Sequence, residues 1–326
     1  MKKNALSLHV GALLVILMLG ALSQTLSSQQ PAQQTPKAGQ KPVPPGYSDE
    51  TYRVNVDLIN VFCSVWDKDT GAFVTNLTRE DFAVYEDEKK QEIKNFVRET
   101  NLPLTIAFLI DTSQSVAPKL KFEQEAAISF FHSVMREKDR AALVEFDSGV
   151  TLVQDFTSDP NKMAKQIKTL RAAGGTSLYD AIYLSCDEKL IREMGRKAIV
   201  ILSDGEDQSS SRTFEQALEM ALKAEAIIYS ISVNRGGFFG VGDTKNGDRI
   251  MKDFSEQTGG RAFFPFKVDD LDDAFRRINQ ELRSQYNLGY VSSNAARDGG
   301  YRKIDLRIAE KGLKMSYRKG YYAPGS

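Results

Sequence analysis

The middle of the chain alternates between two hydrophobic patterns. From Leu102 onward, short runs that are apolar on both faces alternate with longer stretches in which apolar residues recur every three or four positions. The short runs predict strands at 104–110, 141–146, 198–202 and 226–231. The longer stretches predict helices near 118–137, 160–171, 177–193, 213–225, 247–258 and 269–285. Strands buried on both faces and separated by helices predict an α/β fold with a doubly wound, mostly parallel sheet.

One predicted strand breaks this alternation. Residues 151–156 follow Asp147-Ser148-Gly149 so closely that no crossover helix fits between them and the preceding strand. Because a parallel connection needs a dozen or more residues, 151–156 is predicted to form an antiparallel hairpin at the sheet edge.

Both flanks of this region alternate at period two, which predicts antiparallel strands. These flanks are residues 49–100 and 286–326, and each is too small to bury a core of its own. They carry opposite net charges of −5 and +5, although surface charge steers association more than it fixes a fold. We therefore predict, mainly from size, that they pair into a small flanking β-sandwich around an α/β domain at 102–285.

The first 48 residues are predicted to lie outside the folded part of the protein. Lys2 and Lys3 precede an apolar stretch and then small residues, which is the layout of a secretory signal peptide at 1–23. An uncleaved N-terminal anchor is the alternative. Residues 24–48 are rich in Pro and Gln, with few large apolar side chains, and predict a disordered linker. We expect an exported protein, periplasmic, cell-surface or secreted, without an integral membrane segment after signal removal.

Composition narrows the function classes. Lys and Arg total 43, as do Asp and Glu, so net charge does not favour nucleic acid or an anionic membrane as a partner. Cys63 and Cys186 both lie in apolar patterns, which favours two buried thiols over a disulfide without deciding the matter. His132 is the only histidine after the signal, and its helical setting favours packing in the core over catalysis. A Ser/His/Asp catalytic triad is therefore not expected.

Three segments carry oxygen ligands to the same predicted sheet edge. Asp111, Ser113 and Ser115 follow the first strand, Thr176 precedes a helix, and Asp204 follows strand 198–202. In an open α/β sheet, ligands bind outside the carboxyl ends of the strands. Two carboxylates and three hydroxyls suit a hard divalent cation, with Mg²⁺ favoured over Mn²⁺ or Ca²⁺. The remaining coordination position is then open to an Asp or Glu side chain of a partner.

The competing interpretation is that Asp111 and Ser113 cap the helix that starts near Pro118, as such residues commonly do. For one segment alone, a cap and a ligand are about equally good explanations. Because three segments end at the same sheet edge, the cap alone is the weaker explanation.

The residues also carry a family resemblance. Asp111-x-Ser113-x-Ser115, Gly175-Thr176 and Ser203-Asp204-Gly205 resemble the metal-ion-dependent adhesion site of von Willebrand factor type A domains. The resemblance covers about residues 102–285. It implies the Rossmann-like fold of that family, with Ser113, Ser115 and Thr176 binding the ion while Asp111 and Asp204 complete its shell.

The flanks resemble a bacterial group of exported proteins related to this domain. The similar stretches are 81–87 (DFAVYED) and 318–322 (RKGYY). The metal-site resemblance implies a non-enzymatic, adhesion-like module that recognises an acidic group of a protein through the cation. Two alternatives are a scaffold subunit of an envelope complex and a metal-dependent hydrolase, which would need a general base beside the ion.

Weaker signals lie around this edge. Glu206 and Asp207 are interpreted as a solvated acidic loop rather than a second ion site, and Asp180 as stabilising the first turn of its own helix. The glycine-rich stretch 236–242 lacks the spacing of a phosphate-binding loop. Its Phe238 and Phe239 are assigned to loop packing, with contact to a partner as the alternative.

Overall fold

The computed structural model describes residues 58–99, 102–233, 245–266 and 268–325. All of them belong to one compact unit that extends from Asn55 to Ser326. The predicted signal peptide, the predicted linker and the glycine-rich loop 236–242 lie outside the described residues. No helix within the described ranges is long and apolar enough to cross a membrane.

The helices and strands follow the order that the sequence predicts. The strands are β1 Leu58–Asp67, β2 Phe82–Glu86, β3 Lys89–Gln91, β4 Ile93–Glu99, β5 Leu104–Asp111, β6 Arg140–Phe146, β7 Val150–Thr157, β8 Arg196–Ser203, β9 Ala226–Ser232, β10 Ala262–Phe263, β11 Gln285–Val291, β12 Tyr301–Ile308, β13 Leu313–Tyr317 and β14 Gly320–Tyr322. The α-helices are α1 Leu120–Val134, α2 Pro160–Ile167, α3 Leu178–Leu184, α4 Phe214–Lys223, α5 Lys245–Thr258 and α6 Val268–Leu282.

A six-stranded sheet with the order β10-β9-β8-β5-β6-β7 forms the centre of the α/β part. β10, β9, β8, β5 and β6 pair in parallel. Side chains of β5 alternate between the faces, because Phe108 packs in a cluster with α1 and α6, whereas Leu109 packs in a cluster with α3, α4 and α5. The sheet is covered on both sides, which confirms the predicted doubly wound fold.

β7 is the exception that the sequence predicts. It pairs antiparallel with β6 and lies at the edge of the sheet. The connection between the two strands contains only Asp147, Ser148 and Gly149, so the chain turns back as a hairpin.

The two flanking segments together form two four-stranded antiparallel sheets, β13-β1-β11-β4 and β14-β12-β2-β3. In each sheet, strands from before and after the α/β part are hydrogen-bonded neighbours. Their apolar side chains, such as Val61, Val84 and Leu288, share one buried cluster. The predicted flanking β-sandwich is therefore confirmed as part of the fold class, while the exact domain limits stay predictions.

A buried carboxylate joins the two flanking motifs. Glu86, in the stretch 81–87, is 2% exposed. It accepts hydrogen bonds from Tyr290 at 2.7 Å, from Tyr321 at 2.9 Å and from Ser292. Tyr321 belongs to the stretch 318–322, so the stretches 81–87 and 318–322 meet inside the sandwich. There the three hydroxyl groups satisfy the hydrogen-bonding capacity of the buried Glu86 carboxylate.

The sandwich also supports helix α5. The Ser316 hydroxyl donates to the Gly259 carbonyl just after α5 at 2.6 Å, and the Lys319 backbone N–H donates to the Gln257 carbonyl at 2.9 Å. The start of α5 lies against the loop after β8, since a Cβ on Gly247 would come within 2.2 Å of the Asp204 carbonyl oxygen. Contacts at both ends of α5 therefore connect the sandwich to the sheet edge that carries the predicted site.

Several local predictions are wrong. The stretch 177–193 is not one helix, because α3 gives way to a π-helix at Ser185–Lys189 and a short 3₁₀ turn. His132 is exposed rather than packed in the core. Cys63 and Cys186 are free, buried thiols, as the sequence favoured.

Candidate metal centre

The predicted site lies at the carboxyl edge of the central sheet. Asp111 is the last residue of β5, although the hydrophobic run predicts that this strand ends at Ile110. Asp204 directly follows β8. β5 and β8 are parallel neighbours, with Ile110 beside Leu202, so the two carboxylates leave the sheet at the same edge. This is the edge at which open α/β sheets bind ligands.

The Asp111 carboxylate is fully buried. Its Oδ1 accepts a hydrogen bond from the Ser113 backbone N–H at 2.8 Å, and its Oδ2 accepts one from the Ser203 hydroxyl at 2.6 Å. Burial raises the pKa of Asp111 to about 6, the charge of Asp204 adds to the rise, and the hydrogen bonds from Ser113 and Ser203 oppose it. A cation beside this carboxylate would favour its charged form.

A chain of hydroxyl groups links the first loop to Asp204. Ser113 Oγ lies 3.0 Å from Ser115 Oγ, and the Ser115 hydroxyl donates to Asp204 Oδ2 at 2.6 Å. Asp204 Oδ1 also accepts from the Glu206 backbone N–H at 3.1 Å. Four of the five predicted ligands therefore form one connected cluster that spans two loops: Asp111, Ser113, Ser115 and Asp204.

Backbone hydrogen bonds hold the Thr176 segment between these two loops. On one side, the Gln114 N–H donates to the Gly174 carbonyl at 3.2 Å. On the other side, the Thr176 carbonyl accepts from Gln208 at 3.0 Å and from Ser209 at 2.9 Å. Thr176 is 3% exposed. All three predicted ligand segments are thus tied together at one edge.

The turn after Asp204 requires a glycine. Gly205 has a φ of +77°, a backbone conformation that glycine adopts without steric cost. A Cβ at this position would also lie 2.4 Å from the Gly247 carbonyl oxygen of α5. The close approach of α5 and the left-handed turn together fix the path of the chain beside Asp204.

The sequence profile of the von Willebrand factor type A domain matches residues 106–206. This segment belongs to the von Willebrand factor type A domain family. The matched range contains all five predicted ligand residues.

Solved structures of low sequence identity resemble the chain. A von Willebrand factor type A protein from Catenulispora acidiphila has 11% identity and a TM-score of 0.47, covering 84% of this chain and 76% of its own. Proximal thread matrix protein 1 from the mussel byssus, with a zinc-occupied MIDAS motif, has 16% identity and a TM-score of 0.48 over 61% of this chain and 50% of its own. An aerotolerance-related membrane protein from Bacteroides fragilis has 17% identity and a TM-score of 0.46 over 55% of this chain and 98% of its own. No curated protein matches the chain.

The residues of the type A domain fit a hard divalent cation. No group of three or more His, Cys, Asp or Glu side chains suited to a metal occurs among the described residues. A cation at this edge would therefore need hydroxyl oxygens among its ligands. The Ser115 hydroxyl donates to Asp204 and lies 3.0 Å from the Ser113 hydroxyl, while the Ser113 backbone N–H donates to Asp111. Carboxylate and hydroxyl oxygens are ligands that Mg²⁺ binds. The buried Asp111, with its raised pKa, is a carboxylate whose charge a cation would stabilise.

The helix-cap interpretation of the first segment is wrong. Ser113 precedes the short 3₁₀ turn Gln114–Val116, and its side chain makes no capping hydrogen bond. Helix α1 begins after Lys119, which also provides no side-chain cap. Asp111 and the two serines are therefore turned to one another and to Asp204, not to the start of a helix.

Two acidic residues near the site have structural roles that the sequence did not predict. Asp207 is not a solvated loop residue, because its Oδ2 accepts from the Tyr179 backbone N–H in α3 at 3.0 Å and from the Ser210 hydroxyl at 2.6 Å. Asp180 lies in the first turn of α3, as predicted, and it also accepts from the backbone N–H groups of Ser211 and Arg212, both at 2.9 Å. Both carboxylates fix the loop between β8 and α4.

Sequence reasoning missed two participants. Ser203 donates to Asp111, and its hydroxyl also accepts from the Gly205 backbone N–H at 3.0 Å, so it connects both aspartate loops. The position of Ser203 directly before Asp204 in the sequence could have identified it as part of the site. Glu123 is a buried carboxylate on α1, and the charges of Asp111 and Asp204 act on it. Nothing in its local sequence separates it from exposed charged residues of the same helix.

Proposed function

We propose that this protein is a non-enzymatic binding module whose type A domain recognises an acidic group of a partner protein through a divalent cation. The observation that carries the proposal is the cluster in which Asp111, Ser113, Ser115 and Asp204 meet from two loops at the carboxyl edge of the sheet. The fifth ligand of the proposed site is Thr176, whose segment is tied to both loops.

The charges of the proposed ligands explain why an outside carboxylate would be accepted. Asp111 and Asp204 balance the two positive charges of the ion, while the hydroxyls of Ser113, Ser115 and Thr176 add oxygen donors without further negative charge. When bound, the cation supplies an electrophilic centre with a coordination position for an oxygen from another molecule.

The ligand set favours Mg²⁺, with Mn²⁺ and Ca²⁺ as alternatives. Mg²⁺ is bound through one or two carboxylates and keeps several water molecules, whereas Ca²⁺ takes six to eight oxygen ligands. Two carboxylates and small hydroxyls held by short connections to rigid strands suit the smaller ion. Isothermal titration of the purified protein with each ion would rank the three affinities.

A capture experiment tests the proposal. The mature protein is immobilised and exposed to an extract of the source cells with Mg²⁺ or with a chelator. We expect capture that needs Mg²⁺ and is lost in Asp111→Ala and Asp204→Ala. The matched control Asp187→Ala removes an exposed carboxylate from the π-helix and should capture normally. Amidating the carboxyl groups of the extract should also abolish capture, because the proposed ligand is an acidic group.

Other outcomes would favour the alternatives. Unchanged Mg²⁺ and Mn²⁺ affinity in both aspartate variants would remove the site assignment. A stoichiometric partner that co-purifies even in chelator would favour a scaffold subunit. Hydrolysis of a test substrate that needs Mg²⁺ and is lost in Asp204→Ala would favour an enzyme.

The proposal also includes export. The residues that argue for it, 1–23, lie outside the described part of the chain, so the support comes from the sequence pattern alone. N-terminal sequencing of the protein from its source cells would reveal cleavage near Ser23, and fractionation would separate periplasmic, cell-surface and secreted locations.

A further inference from the structure

A third buried carboxylate lies within electrostatic reach of the proposed ligands. Glu123 is in the first turn of α1, and it is 1% exposed. Neither of its carboxylate oxygens has a hydrogen-bond partner among the described residues. Burial raises the pKa of Glu123 well above its usual range, the charges of Asp111 and Asp204 raise it further, and Lys119 opposes them. A buried polar group without a partner calls for an explanation such as a water or an ion.

Packing alone does not account for Glu123. The buried positions that follow it on α1 are apolar, among them Ala126, Ala127 and Phe130. An apolar side chain would fill the position without the cost of burying a carboxyl group. Lys119 donates no hydrogen bond to this group; its ammonium donates to the backbone carbonyl of Val233, just after β9.

We propose that Glu123 is an outer group of the metal centre, whose carboxylate accepts a hydrogen bond from water bound to the cation. This inference rests on the proposed function, since it requires that the site binds a divalent ion. Mg²⁺ keeps several of its waters in protein sites, and groups that hydrogen-bond to a metal's first shell tune its affinity.

The electrostatic coupling supports this role. The charges of Asp111 and Asp204 act on Glu123 through the protein interior, where screening is weaker than in water. A cation held by the same two aspartates therefore acts on Glu123 as well, with the opposite sign. The charged groups that act on Glu123 are Asp111 at the end of β5, Asp204 after β8, and Lys119 before α1.

Metal binding is then coupled to the loss of a proton. In the metal-free protein, burial and the charges of the two aspartates favour the protonated form of Glu123. When a divalent cation binds, its positive charge favours the carboxylate, and the proton passes to the solvent. Such release of protons is a general consequence of metal binding to titratable groups.

Calorimetry of the mature protein tests the proposal. Mg²⁺ is titrated at pH 7.5 in two buffers of different ionisation enthalpy, which yields both the affinity and the number of protons released. Asp111, with a pKa of about 6, is mostly ionised at this pH and contributes little to the count. The variants are Glu123→Gln, which resembles the protonated acid in shape, and the matched control Glu125→Gln, exposed on the same helix.

We expect Glu123→Gln to weaken Mg²⁺ binding by roughly 10- to 100-fold and to remove about one proton from the count, while Glu125→Gln behaves as the wild type. If Glu123→Gln has the same Mg²⁺ affinity and the same proton release as the wild type, the role of Glu123 is overturned, while the proposed metal centre is unaffected. A wild-type protein that binds neither Mg²⁺ nor Mn²⁺ would overturn both.

A second measurement gives its main result with the wild type. In infrared spectra at pH 7.5, adding Mg²⁺ to the metal-free protein should remove part of the carbonyl absorption of protonated carboxyl groups. Burial raises the pKa of Glu281 to about 7, so a remainder that Mg²⁺ does not change is expected. Glu123→Gln should show no Mg²⁺-dependent loss, and a wild type that binds Mg²⁺ without any loss would also overturn the proposal.

Discussion

Replacing Asp111 by asparagine should stabilise the metal-free protein while abolishing its metal binding. Asp111 is fully buried, and burial raises its pKa to about 6. Asn has nearly the same shape but carries no charge, so the cost of burying the charge disappears. The same change removes one of the two carboxylates proposed to balance the cation. Stability and metal affinity are therefore expected to move in opposite directions.

The magnitude follows from the pKa. The folded-state value of about 6 exceeds the usual 3.8 by about two units, and each unit corresponds to about 1.4 kcal/mol. The buried charge therefore costs the folded state about 3 kcal/mol above pH 7. An Asn oxygen can still accept from the Ser113 N–H, but its amide nitrogen cannot accept from Ser203, which loses about 1 kcal/mol. The net gain for Asp111→Asn is about 2 kcal/mol.

Lowering the pH stabilises the wild type relative to Asp111→Asn. Because the folded-state pKa lies above the unfolded value, the folded protein holds the Asp111 proton more tightly, and its stability increases as the pH falls from about 7 to about 4. Asparagine does not titrate. Its advantage is therefore largest at pH 8 and disappears near pH 4.

Urea unfolding of both proteins in chelator, at pH 8 and at pH 4, measures this difference in the free energy of unfolding. Mg²⁺ at about 100 times its Kd should then stabilise the wild type by about 2.7 kcal/mol and Asp111→Asn not at all. An Asp111→Asn protein that is less stable at pH 8, or whose difference from the wild type is the same at both pH values, would refute the reasoning.

Three further predictions concern the metal centre, the turn beside it and the flanking β-sandwich. In Glu123→Gln, Mg²⁺ affinity should fall by about tenfold per unit as the pH drops below about 6, because Asp111 must lose its proton to bind the ion; in the wild type, the proton released by Glu123 should extend the fall above pH 6, and calorimetry across pH measures both. Gly205→Ala should lower the free energy of unfolding by about 2–5 kcal/mol, since a positive φ and a Cβ 2.4 Å from a carbonyl oxygen both oppose it. Tyr321→Phe should cost about 1–2 kcal/mol by removing one donor from the buried Glu86, with Mg²⁺ affinity unchanged.

Each of these predictions has a control or an outcome that would contradict it. A flat affinity of Glu123→Gln between pH 7 and pH 5 would show that Asp111 is not a ligand. Gly312 has a similar φ of +89°, but a Cβ at this position would meet no atom within 4 Å, so Gly312→Ala should cost only about 1 kcal/mol; equal losses at both glycines would exclude the contact with α5. A loss of Mg²⁺ affinity in Tyr321→Phe would mean that the sandwich and the metal centre are coupled.

Much of the architecture was predictable because buried strands and helices show a regular spacing of apolar residues in the sequence. The mostly apolar runs of β5, β8 and β9 indicate strands covered on both faces. The short connection before β7 indicates an antiparallel hairpin. Helix ends were less predictable. The segment after α3 changes to a π-helix at Ser185–Lys189, although its apolar spacing continues.

The candidate site was only partly predictable. The spacing of Asp111, Ser113 and Ser115 and the family resemblance indicated oxygen donors at a sheet edge. The sequence did not indicate that Ser203 bonds to Asp111, or that Asp180 and Asp207 hold the loop before α4. Those roles depend on contacts between residues about 30 to 90 positions apart, and such contacts leave no periodic pattern.

The sequence by itself determined the order of strands and helices, the family of the central domain and the residue types of the proposed site. Only the tertiary structure decided which carboxylates are buried together. Asp111, Glu123 and Asp204 come from separate parts of the chain, yet their charges act on one another in the folded protein. The physical reason is that burial and charge coupling depend on distance in space and on exclusion of water, which neighbours in sequence do not specify.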